Sequence, residues 1–150
     1  MNRIGLPPPA SALAAFAFAG GRSVPMPAVQ VWTPTFTSVA NLDSTPSLNG
    51  TAFYMDFGGF LVGFLSAQCD PTTAQVLTQF RVSPPLASAF SSAYQAWGVC
   101  AVSALGSLST VKMCAGQVQS VAATDDLIAD FIARQTAAAP VSVCFGMQVL

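Results

Sequence analysis

From Ala28 onward the apolar residues recur with a period of two, and turn residues interrupt them at short intervals. The C-terminal stretch is the clearest case. Val141, Val143, Phe145, Met147 and Val149 alternate with Ser142, Cys144, Gly146, Gln148 and Leu150. Successive side chains of a strand point to opposite faces, so this spacing gathers five apolar groups on one face. The stretch is expected to end the chain as a strand inside a sheet.

Further strands follow from the same rule. Val29 to Thr37 is rich in β-branched and aromatic residues. Asn49-Gly50 is a hairpin-type dipeptide. Ala52 to Asp56 and Phe60 to Ala67 flank Gly58-Gly59, which reads as a hairpin, and Asp70-Pro71 marks a loop. Val76 to Val82 alternates before Ser83-Pro84-Pro85, and Tyr94 to Ser103 and Leu108 to Ala115 read as two more strands. Short strands at this spacing predict a sandwich or jelly roll. Leu127 to Arg134 carries two periods at once. Leu127, Ile128, Phe131 and Ile132 have helical spacing, with Thr124 as N-cap and Asp125 and Asp126 in the first turn. The same residues also alternate as a strand would. Local pattern alone leans towards the helix.

Residues 1–27 differ from the rest. Pro7-Pro8-Pro9 favours extended polyproline geometry, Gly20-Gly21 breaks whatever Ala10 to Ala19 forms, and Pro25 and Pro27 keep the chain extended. Arg3, the apolar run from Ala10 to Phe18 and Ala17-Phe18-Ala19 imitate a signal peptide. The prolines ahead of so short a run favour an uncleaved arm instead. The expected organisation is an extended arm at 1–27 and a β-sandwich domain at 28–150.

The chain has 150 residues, of which five are Lys or Arg and six are Asp; Glu and His are absent. A chain of this size exposes on the order of 7,000 Å², or one charge per ~650 Å². That is sparse for a surface built to stay monomeric, so part of it is expected to be buried against other chains. With a net charge of −1 and no basic stripe, nucleic-acid binding is disfavoured. The densest apolar run, Phe57 to Ala67, contains three glycines and falls short of the ~20 residues a spanning helix needs. No membrane partner is expected.

Chemistry is thin. Without histidine, the serines and threonines have no imidazole base, and Lys112, the single lysine, leaves only a Ser–Lys arrangement. Asp125, Asp126 and Asp130 are oxygen donors of the kind calcium takes, but they lack a recognisable loop and read as a solvated turn. Cys69, Cys100, Cys114 and Cys144 form no Cys-x-x-Cys pair and read as small apolar core residues, with their pairing left open. Asn49-Gly50-Thr51 matches a glycosylation sequon, which the Asn-Gly turn explains better. No catalytic residue, metal or cofactor is expected, and the chain reads as a non-enzyme. Trp32, Trp97, Tyr54 and Tyr94 are candidates for a sugar-binding platform, although aromatic residues in strands are more often core or interface anchors.

The order of motifs has a likeness. Trp32-Thr33-Pro34-Thr35 leads to Val39-Ala40-Asn41, then to Phe53-Tyr54-Met55 and Gly58. Asp70-Pro71-Thr72-Thr73-Ala74 and Ser83-Pro84-Pro85-Leu86-Ala87-Ser88-Ala89-Phe90 follow, and an alternating strand closes the chain. Over roughly residues 30–150 this resembles a β-sandwich module of tailed-bacteriophage virion structural proteins, tail-fibre-like or capsid-decoration-like. The resemblance implies an all-β, jelly-roll-like antiparallel β-sandwich, usually trimeric, with no catalytic residues to carry over. It also implies a turn at Thr124-Asp125-Asp126 and a strand at Leu127 to Arg134, which is preferred to the helix.

Two features depart from the module. Phe60-Leu61-Val62-Gly63-Phe64-Leu65 is apolar at every position, which fits a strand buried on both faces. The arm is the other. The expected function is therefore a capsid decoration or cement protein, assembled in the host cytoplasm into the virion. It would trimerise and bind the major capsid protein or other virion proteins through the arm. The interface residues expected are Pro7, Pro8, Pro9, Phe16, Phe18, Phe60, Leu61 and Phe64. The alternative is a tail-fibre or spike receptor-binding module that recognises host glycan through Trp97 and Tyr94.

Overall fold

The computed structural model describes residues 15–17, 23–103 and 113–149. The fold is all-β and antiparallel. Two short strands, β1 (Ala15–Ala17) and β2 (Ser23–Pro25), pair with each other. The remaining strands are β3 (Val29–Trp32), β4 (Phe36–Ala40), β5 (Ser47–Leu48), β6 (Ala52–Asp56), β7 (Phe60–Cys69), β8 (Leu77–Val82), β9 (Ala96–Ser103), β10 (Met113–Ser120), β11 (Leu127–Ile132) and β12 (Ala139–Gln148). They form one sheet in the order β3-β6-β7-β12-β9-β10-β11-β8-β4, with β5 also pairing on β7. The sheet is curled, and its concave face encloses a single core.

The C-terminal alternation explains the centre of the sheet. β12 pairs along all ten of its residues with β7, and from Val141 to Met147 with β9. Val141, Val143, Phe145 and Met147 point inward and are buried. Phe145 is flanked in register by glycine on both neighbouring strands, Gly63 and Gly98. A Cβ at Gly63 would stand 2.3 Å from the Phe145 ring, and one at Gly98 would stand 2.1 Å from the backbone oxygen of Cys144. The glycines let the ring lie flat across β7 and let β9 approach β12 closely.

The two edge strands, β3 and β4, are consecutive in sequence. Thr33-Pro34-Thr35 carries the chain from one edge to the other. There Ser83 N donates to Thr35 O at 3.0 Å, and Thr35 N donates to Ser83 Oγ at 2.9 Å. Trp32 packs edge-on against Phe145 and Tyr54, with ring centroids 6.1 and 6.0 Å away, and its Nε1 donates to Ser83 O at 3.3 Å. One residue thus plugs the core and ties the edges.

The hairpin at Gly58-Gly59 is present, with both glycines at positive φ, and Leu127–Ile132 is a strand paired with β8 and β10, not a helix. Three local expectations need correction. Val29 to Thr37 is not one strand: β3 ends at Trp32, and β4 begins at Phe36 on the opposite edge. Asn49-Gly50 does not reverse the chain: β5 and β6 both pair on the same side of β7, and Asn49 N donates to Ser66 O. The dipeptide is an insertion within one interrupted strand, with Gly50 at φ 93°. The run from Phe60 to Leu65 is also not buried on both faces. Leu61, Gly63 and Leu65 enter the core, whereas Phe60, Val62 and Phe64 lie on the convex face, partly exposed.

Gly63→Ala is expected to destabilise the fold by about 1–3 kcal/mol through overpacking against Phe145. The cost in the Gly63→Ala/Phe145→Leu double variant should be smaller than the sum of the two single costs, because the smaller side chain frees the space. Urea denaturation of the four proteins checks this; strict additivity would show that the ring and the glycine are not coupled.

Candidate interaction face

The site builds from strand register. On the convex face one row of neighbouring residues runs Val31, Phe53, Phe64, Cys144, Val99, Gln117, Asp130, Gln79 across β3, β6, β7, β12, β9, β10, β11 and β8. The adjacent row runs Val29, Met55, Val62, Gly146, Trp97, Gln119, Ile128, Arg81. The two rows change character at the same place. From β3 to β9 they are apolar and, among the described residues, uncharged; from β10 onward amides and charges enter.

The polar half is cross-linked by its own side chains, although the buried Arg81 Nε has no hydrogen-bond partner. Asp130 accepts from Gln79 Nε2 at 2.9 Å and from Gln117 Nε2 at 3.4 Å, and Arg81 pairs with Asp126 at 3.6 Å. These contacts account for Asp126 and Asp130 as surface cross-strand partners. Among the described residues no group of three or more Asp, Glu, His or Cys is placed to hold a metal.

The apolar half is exposed. Val31 is 69% exposed, Trp97 66% and Val99 63%. Phe53 stacks on Phe64 with centroids 5.5 Å apart. The Phe60 ring lies over Gly146, where a Cβ would meet it at 2.6 Å. Two shallow hollows open here. One of about 360 Å³ is lined by Phe53, Phe64, Ser66, Val99, Ser142 and Cys144 among others. The other, of about 180 Å³, lies between Phe60, Val62, Trp97 and Gly146.

The expected interface residues divide accordingly. Phe60 and Phe64 lie on this face. Leu61 does not: the period-two pleat turns it inward, where it is fully buried, and it cannot meet a partner. Phe16 lies in β1, in register with Val24. Pro7, Pro8, Pro9 and Phe18 fall outside the described residues. Val29, Val31, Phe53 and Val99 were missed, although two alternating apolar sets within one segment are the signal that both sheet faces are apolar.

Tyr94 and Trp97 come together. Tyr94, 87% exposed, sits on a turn held by the Gln95 side chain, whose Oε1 accepts from Ser92 N at 3.0 Å. The buried Ser120 hydroxyl donates to Ser92 O at 2.8 Å and secures the same turn. With Gln117 and Gln119 the two aromatics border a hollow of about 380 Å³ at the boundary between the apolar and polar halves. Tyr54 and Trp32, in contrast, belong to the core and its margin.

Comparison with known protein families, curated proteins and solved structures finds no match.

Two thiols have their pKa raised. Burial, with Cys100 close by, pushes Cys69 up from 9.0 to about 12, and burial raises Cys144 on the convex face. The folded chain therefore holds the Cys69 proton more tightly than the unfolded chain does. Its stabilising contribution is whole below the unfolded value of 9.0 and is lost as pH rises towards about 12. Stability by urea denaturation should fall above about pH 9, with a shallower fall in Cys69→Ala. An unchanged slope in the variant would exclude Cys69 as the source.

Proposed function

We propose that this chain is a structural subunit of a tailed-phage virion, a decoration or cement protein of the capsid. In this reading the curled sheet is a jelly-roll-like body and residues 1–27 are an arm that reaches onto neighbouring coat subunits. The observation that carries the reading is the uncharged apolar half of the convex face. Monomeric proteins rarely expose a contiguous apolar patch beyond a few hundred Å², and larger ones mark interaction sites.

The motif order lends support. Asn41, at φ 56°, donates through Nδ2 to Thr73 O and to Thr78 Oγ1 and accepts from Thr73 N at 2.8 Å. Two motifs of the resemblance, Val39-Ala40-Asn41 and Asp70-Pro71-Thr72-Thr73-Ala74, thus form one clamp. The clamp is structural and does not say what the protein binds.

A second reading has its own observation. Tyr94 and Trp97 beside two glutamine amides offer a stacking surface and hydrogen-bonding groups, as a glycan would require. A tail-fibre or spike module would use them on the host surface.

Quantitative mass spectrometry of virions from the genome encoding this chain separates the readings. Copy number on the scale of the coat protein is expected; a number on the scale of a single tail, or absence from virions, would overturn the decoration reading. Tyr94→Ala should leave particle binding unchanged. Loss of adsorption to host cells in that variant would move the assignment to the receptor-binding module.

A further inference from the structure

We propose that the apolar half of the convex face is a self-association surface whose occupant is another copy of this chain. Trp97 of one copy seats in the hollow beside Phe64 and Val99 of the other. The inference rests on reading this face as an interface and does not depend on the virion assignment.

Three features point to a second copy. The first is shape. The face carries a projection and a recess side by side: Trp97, two-thirds exposed, and the hollow of about 360 Å³ one residue row away. A surface that holds both knob and hole is complementary to itself, as a two-fold interface between identical chains requires. Where two such convex faces touch, their strands lie ~10 Å apart with interdigitating side chains, a separation at which an indole reaches the recess.

Charge is the second feature. Among the described residues none of the convex positions of β3, β6, β7, β12 and β9 is charged. The face therefore offers no ion pair to a charged partner. A matching occupant is equally apolar, and among the described residues the surface of that description is this same face. The amide and charged rows from β10 onward set its limit and form a polar rim.

Area is the third. Six side chains more than one-third exposed, Val29, Val31, Phe53, Phe60, Trp97 and Val99, present on the order of 600 Å². The partly buried Val62 and Phe64 add to this. A stable interface takes ~800 Å² per partner, so the face approaches what two copies need.

The test uses the full chain. Light scattering after size exclusion and sedimentation velocity over a range of concentrations measure association. The wild type is expected to self-associate. Val99→Lys places a charge on the wall of the hollow that receives the indole, and its dissociation constant should rise more than about tenfold. Trp97→Ser should act in the same direction. Thr37→Glu, on the far edge strand β4 opposite Arg81, should associate as the wild type does.

Cys144 supplies an independent readout, since it lines the hollow. Its alkylation, located by peptide mapping, should be slow in the wild-type assembly and faster in Val99→Lys under native conditions. A wild type that stays monomeric overturns the proposal. So does association that survives both Val99→Lys and Trp97→Ser with alkylation unchanged, since the copies would then meet elsewhere. If Val99→Lys fails to fold, Trp97→Ser decides. Self-association of a chain absent from virions would leave this inference standing while the decoration reading fell.

Discussion

The contact of Trp32 with Phe145 is the constraint on which the rest of this structure depends. A sheet of this many strands buries its inner face only if it curls. The curl here is held where the chain leaves one edge at Trp32 and joins the other at Phe36. The indole closes the open side of the core against Phe145, and its N–H reaches the Ser83 carbonyl beyond β8. Phe145 in turn can lie flat only because Gly63 stands beside its ring, and Gly98 lets β9 close against its backbone. The Trp-Thr-Pro-Thr motif and the two glycines are one device: they set the curvature that makes one face concave.

Once the concave face is full, the period-two pleat decides the outer surface. Strand β7 carries large apolar groups on both parities, and Val29, Val31, Phe53, Trp97 and Val99 of β3, β6 and β9 lie on the outer one, so filling the core leaves a second apolar set outside. β10, β11 and β8 carry amides, Asp130 and Arg81 on that outer parity instead. The sparse charge of the chain is therefore unevenly placed. It does not thin the whole surface; it leaves one half of one face without charge.

Much of the fold was legible because alternation is local. The C-terminal strand, the Gly58-Gly59 hairpin and the β8 segment follow from side-chain period and turn chemistry within a few residues. Leu127 to Ile132 was harder, because its apolar residues satisfy both periods, and pairing with β8 and β10 decides for the strand. Asn49-Gly50 misled for a related reason. An Asn-Gly pair supplies a positive φ, and a strand insertion needs that as much as a hairpin does. The site was half legible. An all-apolar run at Phe60 to Leu65 signals that both faces of β7 avoid water, but it cannot say which parity is enclosed. That depends on β12, far away in sequence, and it sends Leu61 inward and Phe60 and Phe64 outward.

The same geometry sets how strongly such a face can hold another chain. Burying on the order of 600 Å² of apolar surface gains ~15 kcal/mol per copy at ~25 cal/mol/Å². Association costs an estimated 4–15 kcal/mol or more, and area alone does not convert to affinity. What remains depends on the few side chains that fit a recess and lose all their water. Val29 and Val31 lie on an edge strand and contribute breadth. Trp97, large and two-thirds exposed, next to a recess framed by Phe53, Phe64 and Val99, is the side chain with a place to go. In the proposed association the outcome is thus concentrated in one indole at the border of the apolar half, beside the glutamine row of β10.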